Sequence, residues 1–179
     1  MRKVVLSAVT VAILAFVVVV ALQPSEFKIS RSIAVAAPPS ALFPLVNDFR
    51  RWKDWSPWEK MDPAMIRTFE GPSSGEGAAY AWAGNRDVGV GKMTLLKSQP
   101  PERINIQLDF LEPMAATDFA EFTFKQEGTG TVVTWTMSGR NNFISKAVCL
   151  FMNMDAMVGS QFEKGLAELK FLAEAQAKP

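Results

Sequence analysis

Histidine is absent from the 179-residue chain, cysteine and tyrosine occur once each, and the two signs of charge nearly balance. Without histidine there is no Ser-His-Asp triad, no Cys-His dyad, no facial iron triad and no imidazole zinc ligand. A single cysteine, Cys149, excludes an intrachain disulfide and a thiolate metal cluster. Lys plus Arg number 19 against 18 Asp plus Glu, for a net charge of +1, so the chain carries no electrostatic footprint for nucleic acid. It also lacks internal repeats, and its only compositional bias is an Ala-rich end. What is abundant is apolar: 49% of residues are hydrophobic and 11% aromatic, enough to build a packed core.

The first apolar feature is a run without charge, Val4 to Leu22, preceded by Arg2 and Lys3. About 20 such residues cross the hydrocarbon core of a bilayer as a helix. A cleavable secretory segment has the same basic start, with a shorter apolar region and small residues at the cut. Here the run is long and ends in four valines, Val17 to Val20, with only Val19-x-Ala21 as a poor cleavage pattern. A retained single-pass anchor in the cytoplasmic membrane is therefore expected. Arg2 and Lys3 stay inside and the remainder lies on the extracytoplasmic side; cleavage would make it a secreted protein. The expected organisation is an anchor at 1–22, a linker at 23–25, one domain at 26–175 and a tail at 176–179.

Within the domain, Phe27, Ile29, Ile33 and Val35 alternate with polar or small residues, a strand whose apolar face is interrupted by Arg31. Pro38-Pro39-Ser40 starts a short helix over Ala41–Val46, and a Trp-rich segment, Trp52, Trp55 and Trp58, follows. Six further strands are predicted at 66–70, 78–83, 88–97, 104–111, 119–126 and 131–138, separated by Gly/Pro clusters. Their alternation makes an antiparallel sheet with one wet and one covered face. The cover is a proline-free stretch, 145–175, with apolar residues at helical spacing and, with Gly159 and Gly165 at its midpoint, a kink or two consecutive helices expected. One long helix across a curved seven-stranded sheet is expected to leave a cavity.

That order is carried by Trp52-x-x-Trp55-Ser56-Pro57-Trp58, Asp62-Pro63, Gly75-x-Gly77-x-x-Tyr80-x-Trp82-x-Gly84-Asn85 and Gly89-x-Gly91. It continues with Pro113, Gly130-Thr131-x-Val133-x-Trp135-x-Met137-x-Gly139 and Gly159-x-x-Phe162-Glu163-x-Gly165-Leu166-x-x-Leu169-Lys170. Over about residues 26 to 172 the chain resembles the START-like (SRPBCC) superfamily, and within it the polyketide cyclase/dehydrase group. The resemblance implies an α+β helix-grip fold, that of the birch pollen allergen. It says much less about activity, because one fold hosts many functions.

Alternation and helical spacing assign Trp82, Ile106, Leu108, Phe110, Phe122, Trp135 and Met137 on the sheet, with Met154, Val158 and Phe162 on the helix, to the lining of the cavity. Trp58, Tyr80 and Arg31 are candidates for the rim or for polar contacts. Trp52 and Trp55 are read as core. Arg31 needs either a partner, an anionic ligand head or a solvated edge. Met152, Met154, Met157, Met93, Met114 and Met137, as a group, suit an adaptable apolar surface. Asp109 and Glu121 fall on the wet face, Asp118 beside a strand start and Asp87 in a turn, so no catalytic residue is assigned. Gly89-x-Gly91 has no helix after it and reads as hairpin glycines rather than a phosphate loop. Neither metal nor cofactor is expected. The function expected is a membrane-tethered module, more a binder than an enzyme, holding a hydrophobic small molecule or lipid. The alternatives are a cyclase or dehydratase, which needs few side chains, and a protein-interaction domain like the superfamily's chaperone activators. No nucleic-acid partner is expected, and no protein partner is named.

Overall fold

The structure is a computed structural model describing residues 2–176, the side chain of Val4 excepted; Met1 and residues 177–179 of the expected tail lie outside the described residues. An apolar helix, α1 (Arg2–Ala21), leads into β1 (Glu26–Val35). Then come α2 (Pro39–Asn47), a 3-10 turn (Phe49–Asp54) and α3 (Pro57–Met61), with Pro39 and Pro57 in first turns, where proline is tolerated. The strands β2 (Ile66–Glu70), β3 (Ala79–Ala83), β4 (Val90–Gln99), β5 (Arg103–Glu112), β6 (Ala116–Glu127) and β7 (Gly130–Arg140) follow, and α4 (Phe143–Cys149) and α5 (Met154–Gln176) finish the chain. They form one seven-stranded sheet of order β1-β7-β6-β5-β4-β3-β2, antiparallel throughout.

The terminal stretch forms two consecutive helices, one of the two arrangements expected for it. The break falls at Leu150–Asn153, not at Gly159 or Gly165, because Asn142 and Asn153 act as N-caps: their Oδ1 atoms accept from the backbone N–H of Ser145 and Ala156. The two glycines lie inside α5 as points of close approach. A methyl on Gly159 would strike the Arg31 guanidinium, and one on Gly165 would come within 2.9 Å of the Trp135 ring.

Arg31 owes its place to α5. Its guanidinium donates to Glu163 at 2.8 Å and to Asp155 at 2.9 Å, tying the helix to β1. The hydrogen bond from Arg31 holds the Asp155 carboxyl below the usual carboxylate range. The cation is thus ion-paired, neither solvated at an edge nor free for a ligand head, as the sequence left open.

Among the described residues no helix is long and apolar enough to cross a membrane. The uncharged stretch of α1, from Val4 to Ala21, rises about 27 Å, short of a hydrocarbon core of about 30 Å. Its side chains are nevertheless bare: Leu6, Val11, Ile13 and Leu14 are all exposed, and only Val20 is buried.

Candidate functional site

The Trp-rich segment decides how much room lies between sheet and helix. Trp52 and Trp55 fold beneath the sheet, their indole N–H groups donating to the carbonyls of Val46 and Leu45, both at 2.9 Å. Trp55 then lies 5.5 Å from Trp135 and 6.0 Å from Phe122, ring to ring, while Trp135 stacks on Phe162 at 4.1 Å. Trp58, half-buried, closes over the same pair. The expected cavity is therefore filled where Ile106, Phe122, Trp135 and Phe162 were to line it; all four are core. Two open hollows lie elsewhere, one of about 510 Å³ in the crook Cys149–Met154 and one of about 480 Å³ beside Pro39, Glu102 and Thr123.

The inner face is not covered along its whole length. Going up β5, Ile104 and Ile106 are sealed, but Leu108 and Phe110 are half-exposed; on β7, Val133 and Trp135 are sealed and Met137 is half-exposed. Phe27 on β1 and Val158 on α5 are likewise half-exposed. This is the end of the sheet where β1 begins and α5 starts, so the helix has no earlier turns with which to cover it. These side chains pack against the core yet stay partly exposed, and they form a shallow apolar mouth at this end of the inner face: Leu108, Phe110, Met137 and Val158 of the sequence-assigned residues, joined by Phe27. Trp82 borders it, its ring 6.0 Å from Phe110. Met154 is exposed at the start of α5, and Met114, Met152 and Met157 are exposed too. The methionines therefore do not converge on one pocket; Met93 is core and only Met137 is in the mouth.

One polar group stands among these side chains. Asp118 faces inward from β6, opposite Leu108 of β5, and only 6% of the residue is exposed. Strand β6 begins at Ala116, three residues before the predicted start, which turns Asp118 from a loop residue into an inner-face one. Its carboxylate lies over Gly139 of β7, where a methyl would strike it and would come within 2.9 Å of the Phe27 ring. No side chain or backbone N–H among the described residues hydrogen-bonds to it, and burial pushes its pKa up to about 6. The signal available in the sequence was the alternation itself, since Asp118 is in phase with Ala120, Phe122 and Phe124. The indole N–H of Trp135 is the one fully sealed side-chain polar atom without a partner among the described residues; the Asp118 oxygens keep a narrow opening to solvent.

Tyr80 belongs to a different arrangement. Its hydroxyl donates to Glu59 at 2.6 Å, and Glu59 accepts from Arg67 at 2.7 Å, all beneath β2 and β3. Burial, and then the hydrogen bond to Glu59, raise the Tyr80 phenol well above its ordinary range. It is a satisfied structural group, not a rim donor, and Glu59 was not legible as its partner. Asp109 binds Gln107 and Thr117 on the outer face, and Glu121 accepts from Asn105 there. Gly89 has φ +71° and closes the β3–β4 hairpin, which settles the Gly89-x-Gly91 motif as turn chemistry.

The fold recurs in distant solved structures. The Aha1 dimer from Colwellia psychrerythraea is similar at 16% identity with a TM-score of 0.60, covering 85% of this chain and 99% of that one. CalU16 from Micromonospora echinospora is similar at 17% identity and a TM-score of 0.54, over 86% and 88% of the two chains. The di-domain ARO/CYC StfQ from the steffimycin biosynthetic pathway gives 11% identity and a TM-score of 0.63, over 86% of this chain and 52% of its own. At these identities the likeness concerns the fold alone. No curated protein sequence matches the chain. Residues 26–174, from the first strand to the end of the gripped helix, match the profile described as polyketide cyclase / dehydrase and lipid transport, and the chain belongs to that family.

Proposed function

We propose that the protein is a membrane-tethered module that binds a hydrophobic small molecule or lipid at the open mouth of its helix-grip domain. The observation that carries this reading is the partly covered end of the inner face, where apolar side chains surround one carboxyl that is mostly buried and has no hydrogen-bond partner among the described residues. A ligand with an apolar body and one hydroxyl or carbonyl would cover the first and satisfy the second. The uncharged run Val4–Leu22, nineteen residues and helical as far as Ala21, supports an anchor in the cytoplasmic membrane with the domain outside it. Arg2 and Lys3 can reach back to the interface and make up a small mismatch. Sequencing the N-terminus of membrane-fraction protein tests the anchor; a chain starting near Gln23 would replace it with secretion.

The functional reading is tested by mass spectrometry of material extracted from the gently purified full chain, where a co-purified lipid or apolar metabolite is expected. Leu108→Trp is a sharper probe. In an open mouth the extra bulk is accommodated, so an apolar fluorophore should lose its site while the urea midpoint changes little. In a closed core the same change overpacks at about 1–3 kcal/mol and there is no binding to lose. The second outcome would sink the mouth as a ligand site.

Asp118 also favours a second reading, a cyclase or dehydratase. An inner-face carboxyl whose pKa is near 6 can hold or accept a proton close to neutral pH. Turnover by the parent that is lost in Asp118→Asn, with ligand affinity retained, would decide for the enzyme.

A further inference from the structure

The mouth lies at the same end of the sheet as a second apolar surface, outside the domain core. Phe143 and Ile144 on α4, and Phe151 and Met152 on the turn after it, are exposed, Phe151 by 80%. Leu111 and Met114, beside the β5–β6 turn at that end, are exposed as well. Between Asn141 and Asn153 the only charged residue is Lys146. Exposed aromatic and aliphatic side chains in such density call for a partner.

The position of α1 says which one. Phe16 of α1 stacks on Phe151 with ring centroids 6.5 Å apart, and the Lys146 ammonium donates to the Ala21 carbonyl at 3.4 Å. Only four residues, Leu22–Ser25, separate α1 from β1, and the Ser25 carbonyl accepts from the Asn141 N–H at 2.7 Å, which pins the start of the domain to the entry of α4. Phe16 is five residues before the end of α1, about 7.5 Å along the axis. If α1 is in the bilayer, Phe151 cannot be out of it.

We infer that α4 and the α4–α5 turn lie in the outer leaflet beside α1, so that the mouth opens at the lipid surface. This rests on the reading of α1 as a membrane helix. The depth set by Phe16 falls within the 5–10 Å at which interfacial helices sit, and Lys146 lies where an ammonium meets headgroup oxygens. A ligand would then pass from leaflet to mouth without crossing bulk water.

The one native cysteine tests this, since Cys149 ends α4 and is exposed. The full chain is labelled there with an environment-sensitive fluorophore and reconstituted in phosphatidylcholine–phosphatidylglycerol vesicles, with and without lipids bearing a nitroxide high on the acyl chain. The reference is Cys149→Ser combined with Thr129→Cys, which puts the label on the exposed β6–β7 turn at the opposite end of the sheet. Nitroxide quenching at least about twofold stronger at Cys149 than at the reference is expected from shallow insertion. Carbonate extraction of the same vesicles reads α1 separately. A water-like, unquenched label in carbonate-resistant protein overturns the inference and leaves the anchor standing. Protein that carbonate removes, with the label unquenched, overturns both. A blue-shifted label that nitroxide lipids do not quench means that a second copy or another protein covers the face, and it also overturns the inference.

Discussion

Trp55→Ala is expected to remove about 3–5 kcal/mol of stability, the range for emptying a fully buried large aromatic site. Trp55 is 0% exposed and touches the rings of Trp52, Trp135 and Phe122, at 4.7, 5.5 and 6.0 Å. Deleting it opens a hole beneath the middle strands and leaves the Leu45 carbonyl without the indole N–H that now satisfies it at 2.9 Å. The surrounding rings cannot collapse into the space, because Trp52 is held by Val46 and Trp135 is sandwiched against Phe162. For a domain of this size the loss corresponds to a fall in melting temperature of about 10 °C. Urea titration of parent and variant checks it. A change below about 1 kcal/mol would mean that the aromatic plug is not the core of the grip.

The same plug marks the limit of what the sequence revealed. The antiparallel sheet and the inner faces of β5, β6 and β7 follow from period-two alternation, which is a local property, and the six later strands lie within a few residues of their predicted bounds. The core character of Trp52 and Trp55 was legible too. What could not be read was that a segment between two elements would turn back under the sheet and fill the predicted cavity, since its rings meet Phe122 and Trp135 about seventy to eighty residues away. The ends of elements were the other difficulty. Asn142 and Asn153 are good N-caps and could have placed the break in the terminal stretch, but the two glycines drew it to 159–165 while the apolar spacing ran on through both helices. Starting β6 at Phe119 placed Asp118 outside the sheet, and so the one unpartnered inward carboxyl was set aside with the turn residues.

Asp118→Asn is expected to make the protein more stable above pH 7 while changing little at pH 4. Burial, not a neighbouring charge, raises the carboxyl to about 6 in the folded chain, against 3.8 for a free aspartate. Below about pH 4 both folded and unfolded chains hold the proton, and Asp118 adds no pH dependence. Between about 4 and 6 the unfolded chain releases the proton and the folded one retains it, so the unfolded state binds fewer protons and stability falls as pH rises. Above about 6 both are ionised and the folded state carries a buried charge, at a cost of about 1–3 kcal/mol. Asparagine keeps the shape and removes the charge, so the Asp118 contribution to the change in unfolding free energy between pH 4 and 8, read from urea titrations at each pH, should be absent from the variant. Ligand affinity should share the dependence. A ligand oxygen that accepts from the protonated carboxyl loses its donor as pH passes 6, so apolar-probe binding by the parent should weaken there, whereas binding by the asparagine variant, whose amide donates at every pH, should stay flat. Equal pH profiles for both proteins, in stability and in binding, would place Asp118 in contact with water and remove it from the site.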